Sequence, residues 1–281
     1  MRVVTMDDLN FTGRWVLVTG ASSGLGEEMA TQLAKVHQAN LILVARRAAR
    51  LLEIKTRLEQ QHGIQCAVMQ ADLANPDDVE RLYEESIRHG DVYGVILNAG
   101  VTHFGRHRDL AWADFENMLA TNVTSVVRLV SRFVPYLIDK NQGGGILLVA
   151  SLAGLLPVPY QAAYAGTKGF IAQFGQSLRE ELRGENVSLT VFCPGGIATE
   201  MMETSGLNAG FDSPIVLQDV QSCATTALRS FARRDHVAVP RLVNQTLLFL
   251  TRFLPRRLVA YISGGLYRSA LQKVPRQHGP G

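Results

Sequence analysis

Tyr164 and Lys168 are the two residues of this sequence whose types and spacing best suit proton transfer. Side chains four positions apart lie on the same face of a helix. A phenol has a pKa near ~10, and a cation beside it favours the phenolate, so the pair can exchange a proton with a carbonyl or an alcohol. Ser151 comes thirteen residues before Tyr164, after an apolar run, where its hydroxyl can hold the reacting oxygen. Such a pair is more often structural and such a serine more often a turn former, so the hypothesis depends on the three together.

A glycine-rich stretch, Thr19–Gly26, follows the first apolar run and precedes a helical pattern. Backbone N–H groups at a helix N-terminus bind the pyrophosphate of a dinucleotide when no side chain blocks the approach. Gly20 suits the sharp turn, Gly24 the close approach of the backbone, and Gly26 the packing of the helix against the strand. The spacing differs from GxGxxG, and an ordinary glycine-rich turn between strand and helix is the alternative.

The elements that must position these residues are short apolar runs that alternate with longer amphipathic segments. The runs are continuously apolar, which is typical of strands buried on both faces of a parallel sheet. Strict alternation of strand and helix predicts an α/β fold, a single doubly wound Rossmann-type parallel sheet of six to seven strands flanked by helices. The predicted strands are Trp15–Thr19, Leu41–Val44, Cys66–Met69, Val95–Leu97, Ile146–Val149 and Val187–Phe192, with His236–Val239 as the short seventh.

Further motifs follow the glycine-rich stretch at the ends of the later predicted strands and on the helices. They are Asp72-Leu73, Asn98-Ala99-Gly100, Asn122, Ser151 with the YxxxK motif Tyr164–Lys168, and Pro194-Gly195-Gly196-Ile197-Ala198-Thr199. In this order, and after a TGxxxGxG loop, they resemble the short-chain dehydrogenase/reductase family over residues 12–200. No single motif decides the resemblance, but the ordered set is specific.

The resemblance implies a Rossmann fold that binds NAD or NADP. It implies that Tyr164 donates or accepts the proton, that Lys168 tunes it, and that Ser151 orients the substrate oxygen. It also gives Asn122 a role in a water-linked proton relay to Lys168. The cofactor-binding residues that it implies are Gly20, Ser22, Ser23, Gly24, Leu25, Gly26, Asp72, Leu73, Asn98, Ala99, Gly100, Tyr164, Lys168, Pro194, Gly195, Ile197 and Thr199, the last against the carboxamide.

The residues after the second predicted strand, Ala45-Arg46-Arg47, bear on the choice of cofactor. NAD-binding chains usually present an acid there to the ribose hydroxyls, whereas a guanidinium can bind a 2′-phosphate through two hydrogen bonds. No acid is present, so we expect NADP, with Arg46 at the phosphate, and NAD as the less favoured cofactor. A solvated basic helix start is the alternative, because Arg50 lies nearby.

The net charge of +3 hides an uneven distribution along the chain. Residues 1–225 carry 18 Lys/Arg and 24 Asp/Glu, whereas residues 226–281 carry 10 Lys/Arg and a single acid, Asp235. We therefore predict a catalytic domain at 12–240, with a substrate loop at about 200–215, and a basic, apolar, helical extension at 241–281. The apolar runs of the extension are too short to span a bilayer. They fit helices at the surface of an anionic membrane, or a lid or subunit contact docked on the acidic body.

These patterns together predict an oxidoreductase that transfers a hydride between NADP(H) and a carbonyl or alcohol. Apolar residues at 155–159, together with Met201 and Met202, favour a lipophilic small molecule such as a steroid, a retinoid or a fatty-acyl derivative. Two alternatives remain: a non-catalytic NADP-sensing protein on the same fold, and an epimerase or dehydratase of the same family.

The remaining expectations concern partners and location. Helices that match Val123–Leu137 and Tyr164–Leu182 often pair in the resembled family, which implies a homodimer or homotetramer. Three cysteines without a CxxC, and an N-terminus without an apolar core, predict a cytoplasmic protein, with membrane contact only through the C-terminal extension. His103 and His107 lack a third ligand nearby, so no metal is expected, and the basic tail lacks a nucleic-acid module.

Overall fold

A computed structural model describes residues 7–207, 211 and 217–273. Its main sheet has seven parallel strands, and a second sheet has two. The main sheet consists of β1 (Trp15–Thr19), β2 (Asn40–Ala45), β3 (Cys66–Gln70), β4 (Val92–Leu97), β5 (Gly145–Val149), β6 (Ser188–Phe192) and β9 (Val237–Ala238). The second sheet pairs β7 (Gly196–Ile197) with β8 (Leu217–Gln218). Strands this short leave no periodic signal, and the sequence did not predict them.

Helices connect the strands throughout. They are α1 (Gly24–Lys35), α2 (Ala48–His62), α3 (Pro76–His89), α4 (Trp112–Leu119), α5 (Ser125–Lys140), α6 (Ala162–Glu181), α7 (Glu200–Thr204), α8 (Val220–Ala232), α9 (Leu242–Thr251) and α10 (Arg256–Lys273). Local chemistry explains several of their ends. Asn75 caps α3, because its side chain accepts a hydrogen bond from the N–H of Asp77 at 3.0 Å, and Gly63 ends α2 in a left-handed conformation.

The strand order of the main sheet is β3-β2-β1-β4-β5-β6-β9. The predicted doubly wound parallel sheet is therefore confirmed, including its short seventh strand. The chain runs outward from β1 to β3, then returns to place β4 on the other side of β1. Ligands of such folds bind where the order reverses, outside the carboxyl ends of the strands, which here means beside β1 and β4.

Both faces of the sheet are covered, which explains why the strand sequences are continuously apolar. In β1, Val16 and Val18 belong to one hydrophobic cluster, whereas Leu17 between them belongs to the other. Successive side chains of a strand point to opposite faces, so an apolar core on each side requires an unbroken run. The first cluster includes Met29, Leu51 and Phe231 from α1, α2 and α8, and the second includes Leu82, Phe133 and Ile171 from α3, α5 and α6.

The two helices after β9 form the described part of the predicted C-terminal extension. Helix α9 has no buried residue, and α10 buries only Val259, Gly264 and Ala270. Among the described residues, no helix is both long enough and apolar enough to pass through a bilayer. Residues 274–281 of the extension lie outside the described residues, as do 208–210 and 212–216 of the predicted substrate loop.

A buried threonine joins the ends of β1 and β4. The hydroxyl of Thr19 accepts hydrogen bonds from the N–H groups of Asn98 and Ala99 at 2.9 and 3.1 Å. The same hydroxyl donates to the carbonyl of Ile96 at 3.3 Å. Because Thr19 is 1% exposed, water cannot replace these bonds.

We therefore expect Thr19→Val to lower the free energy of unfolding by about 2–4 kcal/mol, because two partly buried N–H groups lose their acceptor while the shape is kept. Thr19→Ser keeps the hydroxyl and loses one methyl group, which costs about 1 kcal/mol. Urea denaturation of both variants measures the difference. Equal losses in the two would mean that the hydroxyl does not hold the strand ends together.

Candidate active site

The glycine-rich stretch Thr19–Gly26 connects β1 to α1 at the carboxyl edge of the sheet. Gly20 and Gly24 have φ angles of +68° and +54°, which residues with a Cβ rarely adopt. A Cβ on Gly20 would lie 2.9 Å from Asn98 Nδ2, and one on Gly24 would lie 3.1 Å from Thr199 Cγ2. Both positions therefore require glycine, for their backbone conformation and for the close packing of Asn98 and Thr199.

This loop fits the pyrophosphate of a dinucleotide. The first N–H groups of a helix have no partner within the helix, and its dipole favours an anion there. Ser23, the residue that precedes α1, makes no capping hydrogen bond with its side chain. Leu25 and Gly26 are buried and hold α1 against the sheet, so the N–H groups of this turn remain for a bound phosphate.

A guanidinium also reaches the loop, and it belongs to Arg47. Arg47 donates to Ser22 Oγ at 3.2 Å and forms a two-pronged ion pair with the carboxylate of Glu200 at 2.8 and 2.9 Å. The hydrogen bond from Arg47 lowers the pKa of Glu200. Arg46, the residue named from the sequence, is exposed, and no described residue forms a hydrogen bond or ion pair with its guanidinium. No local pattern indicates the pair of Arg47 with Glu200, because 153 positions separate the two residues.

Other residues predicted to bind the cofactor lie along the same edge of the sheet. Asp72 and Leu73 follow β3, where Leu73 is buried and Asp72 accepts a hydrogen bond from the N–H of Ala74 at 3.1 Å. The Pro194-Gly195 turn follows β6, and the carbonyl of Pro194 accepts from the N–H of Leu152 at 2.7 Å. Ile197 belongs to β7, which leads to Thr199 beside Gly24. All of these predicted cofactor-binding residues therefore lie at the carboxyl edge of the main sheet.

Ser151 and Tyr164 are brought together although they belong to different elements. Ser151 follows β5, and Tyr164 lies in the first turn of α6. Ser151 Oγ accepts from the N–H of Ala153 at 3.1 Å. Burial raises the pKa of Tyr164, and the nearby side chain of Ser151 opposes that rise. The pair presents two adjacent hydroxyls at the carboxyl edge of the sheet.

Lys168 is 5% exposed, which is rare for a lysine. Its ammonium donates to the carbonyl of Val149 at 2.9 Å and lies 6.0 Å from the centroid of the Tyr164 ring. Burial lowers the pKa of Lys168 to about 8. We expected Lys168 to lower the pKa of Tyr164, but desolvation of the phenol is the dominant effect, because the ammonium is held by Val149 and not by the hydroxyl.

Asn122 lies in a π-helical segment, Ala120–Thr124, between α4 and α5. Its side chain accepts from the N–H of Val101 at 2.8 Å, and donates to the carbonyl of Val101 at 2.9 Å and to Thr167 Oγ1 at 3.0 Å. Asn122 thus connects the loop after β4 to α6. Helical bulges of this type occur frequently at functional sites, where they redirect one side chain.

The residues predicted for catalysis and for cofactor binding converge at Gly100. A Cβ on Gly100 would lie 3.2 Å from Asn122 Oδ1 and 3.3 Å from Lys168 Nζ. The amide of Asn122 and the ammonium of Lys168 are therefore neighbours, although no direct hydrogen bond joins them. The water-linked relay between them stays a prediction.

An aromatic cluster in which Tyr267 of α10 is central lies close to these groups. The ring of Tyr267 lies 4.8 Å from that of Phe211 and 6.1 Å from that of Phe104, centroid to centroid. Burial raises the pKa of Tyr267 to about 12, and the charge of Tyr164 adds to the rise, so the two tyrosines are near each other. Sequence reasoning missed Tyr267, because nothing in the tail indicated which helix face turns inward.

Helix α10 is held over the segment between Ser151 and Tyr164. The hydroxyl of Ser263 donates to the carbonyl of Pro157 at 2.9 Å, and Arg268 Nε donates to the hydroxyl of Tyr160 at 3.0 Å. The inner face of α10 therefore packs against the segment that connects Ser151 to Tyr164.

The sequence profile described as short chain dehydrogenase matches residues 14–209. The chain belongs to the short chain dehydrogenase family. An 11-beta-hydroxysteroid dehydrogenase of Pinus massoniana is 32% identical over 203 residues, which are 72% of this chain and 55% of that protein. A glucose 1-dehydrogenase of Gluconobacter oxydans is 30% identical over 190 residues, 67% of this chain and 71% of that protein. The chain thus spans about half the length of the first of these relatives.

Solved structures of the short chain dehydrogenase family have the same fold. A short-chain dehydrogenase from Sphingobium yanoikuyae in complex with NADPH superimposes with a TM-score of 0.76 at 25% identity, over 95% of this chain and 98% of that one. Another from Burkholderia phymatum, in complex with NAD, superimposes with a TM-score of 0.79 at 22% identity, over 87% and 94%. The prediction of this family is confirmed, and the relatives named dehydrogenases support an oxidoreductase.

Removal of the buried charge of Lys168 is expected to stabilise the protein. Its pKa falls to about 8 on folding. The unfolded chain therefore binds this proton more tightly, and the charged form costs the folded state about 2–3 kcal/mol at about pH 7. Lys168→Met keeps the apolar stem but loses the bond to Val149, so the free energy of unfolding should rise by about 1–2 kcal/mol. The gain should shrink as the pH rises from about 8 to about 10, because the folded lysine then loses its proton.

Urea denaturation at neutral and alkaline pH measures this effect. Lys140→Met is the matched control, because Lys140 is exposed, its ion pair with Asp91 raises its pKa, and its removal gives no gain. A Lys168→Met variant that is less stable than the parent at every pH would contradict the expectation.

Proposed function

We propose that the protein is an NADP(H)-dependent oxidoreductase that interconverts a lipophilic ketone and the matching alcohol. One observation carries the proposal: the side chains of Ser151 and Tyr164 lie next to each other and near a buried ammonium, that of Lys168, at the sheet edge that also holds the glycine loop. Reduction of a carbonyl puts negative charge on its oxygen as the hydride arrives. The main requirement is therefore a set of hydrogen-bond and proton donors held at the position of that oxygen.

Each of these residues has a role in the proposed reaction. Bound nicotinamide supplies or accepts the hydride. Ser151 and Tyr164 hold the substrate oxygen, and the Tyr164 hydroxyl gives its proton to that oxygen during reduction. Lys168 carries a charge below a pH of about 8 and favours the phenolate that Tyr164 then becomes. Asn122 positions α6 through Thr167, and we retain the proposal that it joins a water-linked relay to Lys168.

The proposed cofactor is NADP(H), held by Gly20, Ser22, Gly24 and the other predicted residues of the carboxyl edge. Three features support it: the absence of an acid after β2, the exposed guanidinium of Arg46, which no described residue binds, and the guanidinium of Arg47 at the loop. The Sphingobium yanoikuyae relative holds NADPH and the Burkholderia phymatum one NAD, so the choice depends on residues of this chain. The ion pair of Arg47 with Glu200 opposes the binding of NADP. The 2′-phosphate of NADP and the Glu200 carboxylate would compete for the Arg47 guanidinium.

The proposed substrate is a lipophilic small molecule. The cluster of Phe104, Phe211 and Tyr267 supports this, since aromatic walls favour apolar and fused-ring ligands. The relative from Pinus massoniana is named for a hydroxysteroid, and the one from Gluconobacter oxydans for glucose. The apolar character of the wall favours the first of these classes. A screen of NADPH oxidation over ketones, aldehydes and steroids separates this function from cofactor sensing, epimerisation and dehydration, which oxidise no NADPH in net turnover.

Assembly and location are also proposals. The exposed ring of Phe170, which stacks on Phe174 at 5.9 Å along α6, supports a homodimer or homotetramer paired through this helix. Three buried free cysteines support a cytoplasmic, reducing compartment. The predicted domain boundary at residue 240 is supported by the position of α9 and α10 after the last strand.

The catalytic role of Tyr164 can be tested with Tyr164→Phe, which removes the proton-carrying oxygen and keeps the ring. Turnover should fall by ~10²–10⁴-fold, while NADPH affinity changes little. Tyr267→Phe is the matched control, because it removes a hydroxyl from a neighbouring ring that we do not place in proton transfer. Near-normal turnover in Tyr164→Phe would exclude Tyr164 as the acid–base.

The cofactor preference can be tested by titration. NADPH should bind at least about tenfold more tightly than NADH, a difference of ~1.4 kcal/mol. Arg46→Ala should remove most of that preference, and Arg47→Ala part of it. Arg50→Ala is the matched control, because Arg50 lies in the first turn of α2, directly after these residues, and is bound by Glu27 and Glu53. Equal or reversed affinities in the parent protein would refute NADP preference.

A further inference from the structure

Most of the large apolar side chains that are exposed on the described part of the protein lie on the C-terminal helices. Of the seventeen such exposed residues, eleven lie between Leu242 and Leu266. Leu242, Phe253 and Tyr261 are 78%, 72% and 80% exposed. The eleven are Leu242, Val243, Leu247, Phe249, Leu250, Phe253, Leu254, Leu258, Tyr261, Ile262 and Leu266, and we call them the apolar tail surface. Exposed apolar groups so concentrated mark an interaction site.

Positive charges stand among these apolar side chains, with no negative ones. Between residues 242 and 273 the chain has four arginines and one lysine and no acid: Arg252, Arg256, Arg257, Arg268 and Lys273. No salt bridge among the described residues involves any of them. The acidic body of the protein therefore does not neutralise these charges, although the tail packs on it. The partner that covers this surface must be apolar and anionic together.

The two sides of α10 differ, because its inner face already packs against the body of the same chain. Ser263 and Tyr267 face the segment 155–160 and the aromatic cluster, and Val259 and Ala270 are buried. Leu258, Ile262 and Leu266 follow each other at four-residue spacing on the exposed side. The expected docking of the tail on the body therefore accounts for the inner face alone.

We propose that the apolar tail surface docks on an anionic lipid membrane. Apolar side chains enter the boundary between headgroups and acyl chains, and the arginines bind the anionic headgroups. A second copy of the chain fits less well, because a two-fold contact through this surface would oppose two positive patches with no acid between them. A nucleic acid would satisfy the charges and leave the leucines exposed. This proposal does not depend on the proposed reaction.

Sedimentation of the full-length protein with lipid vesicles tests the proposal. The vesicles are equimolar phosphatidylcholine and phosphatidylglycerol, compared with phosphatidylcholine alone. We expect the protein to pellet with the anionic vesicles at low salt and much less with the neutral ones. Added salt should weaken the binding without abolishing it, because screening acts on the charges and not on the apolar contact.

Two double variants separate the two components. Arg252→Gln with Arg257→Gln should weaken binding to anionic vesicles by about thirtyfold, from the contribution of two cations at a charged surface. Leu250→Ser with Phe253→Ser should weaken it by at least about tenfold. Arg88→Gln with Arg128→Gln removes the same charge from α3 and α5 and should leave binding unchanged, as should Trp112→Ser, which changes an exposed ring on α4.

Each outcome decides the proposal. Loss of binding in both tail variants, with both controls intact, supports it. A parent protein that stays in the supernatant with anionic vesicles at low salt overturns it. A serine variant that binds as well as the parent also overturns it, because binding would then be simple charge adsorption. A parent protein that buries the tail surface in a dimer, which the serine substitutions break, overturns it as well. Turnover of a soluble ketone without lipid is measured separately, so failure of the proposed reaction would not be mistaken for failure of docking.

Discussion

The buried ammonium of Lys168 is the constraint on which the site depends. A lysine that is 5% exposed lowers the stability of the fold, and its pKa of about 8 records that cost. The carbonyl of Val149 compensates only in part, because one neutral acceptor cannot replace the hydration of an ammonium. The charge is tolerated because α6, the π-helical segment and the loop after β4 hold it in place. Such a cost persists where a function requires it.

The carboxyl edge of the sheet explains how residues far apart in sequence form one site. Thr19 joins the ends of β1 and β4, and Asn122 joins the following loop to α6. The ends of β1 and β4, the loop after β4 and α6 are therefore linked along one edge of the sheet. The ion pair of Arg47 with Glu200 adds a link between that loop and α7. Both side chains of this pair are about half exposed, so it contributes little stability, and a bound phosphate can compete for the guanidinium.

Much of the fold could be predicted from the sequence, because strands buried on both faces leave unbroken apolar runs. All seven strands of the main sheet were predicted, and the resemblance to a known family indicated which residues converge at its edge. Contacts between distant residues could not be predicted in this way. Neither the pair of Arg47 with Glu200 nor the position of Tyr267 leaves a local pattern. The direction of the pKa shift of Tyr164 was also missed, since it depends on how deeply the hydroxyl is buried, and spacing does not report depth.

The two faces of α10 connect the candidate active site to the molecular surface. Its inner face places Tyr267 near Tyr164, and its outer face carries part of the apolar tail surface. A single rigid helix therefore contacts the proposed substrate site and the proposed membrane. A groove lined by Pro157, Val158 and Arg256 lies where the segment after Ser151 meets the first residue of α10. A lipophilic molecule is far more concentrated in a bilayer than in water, so a site that opens beside the membrane surface would meet its substrate there. Docking and substrate class are independent proposals, yet the position of this helix gives both a common physical reason.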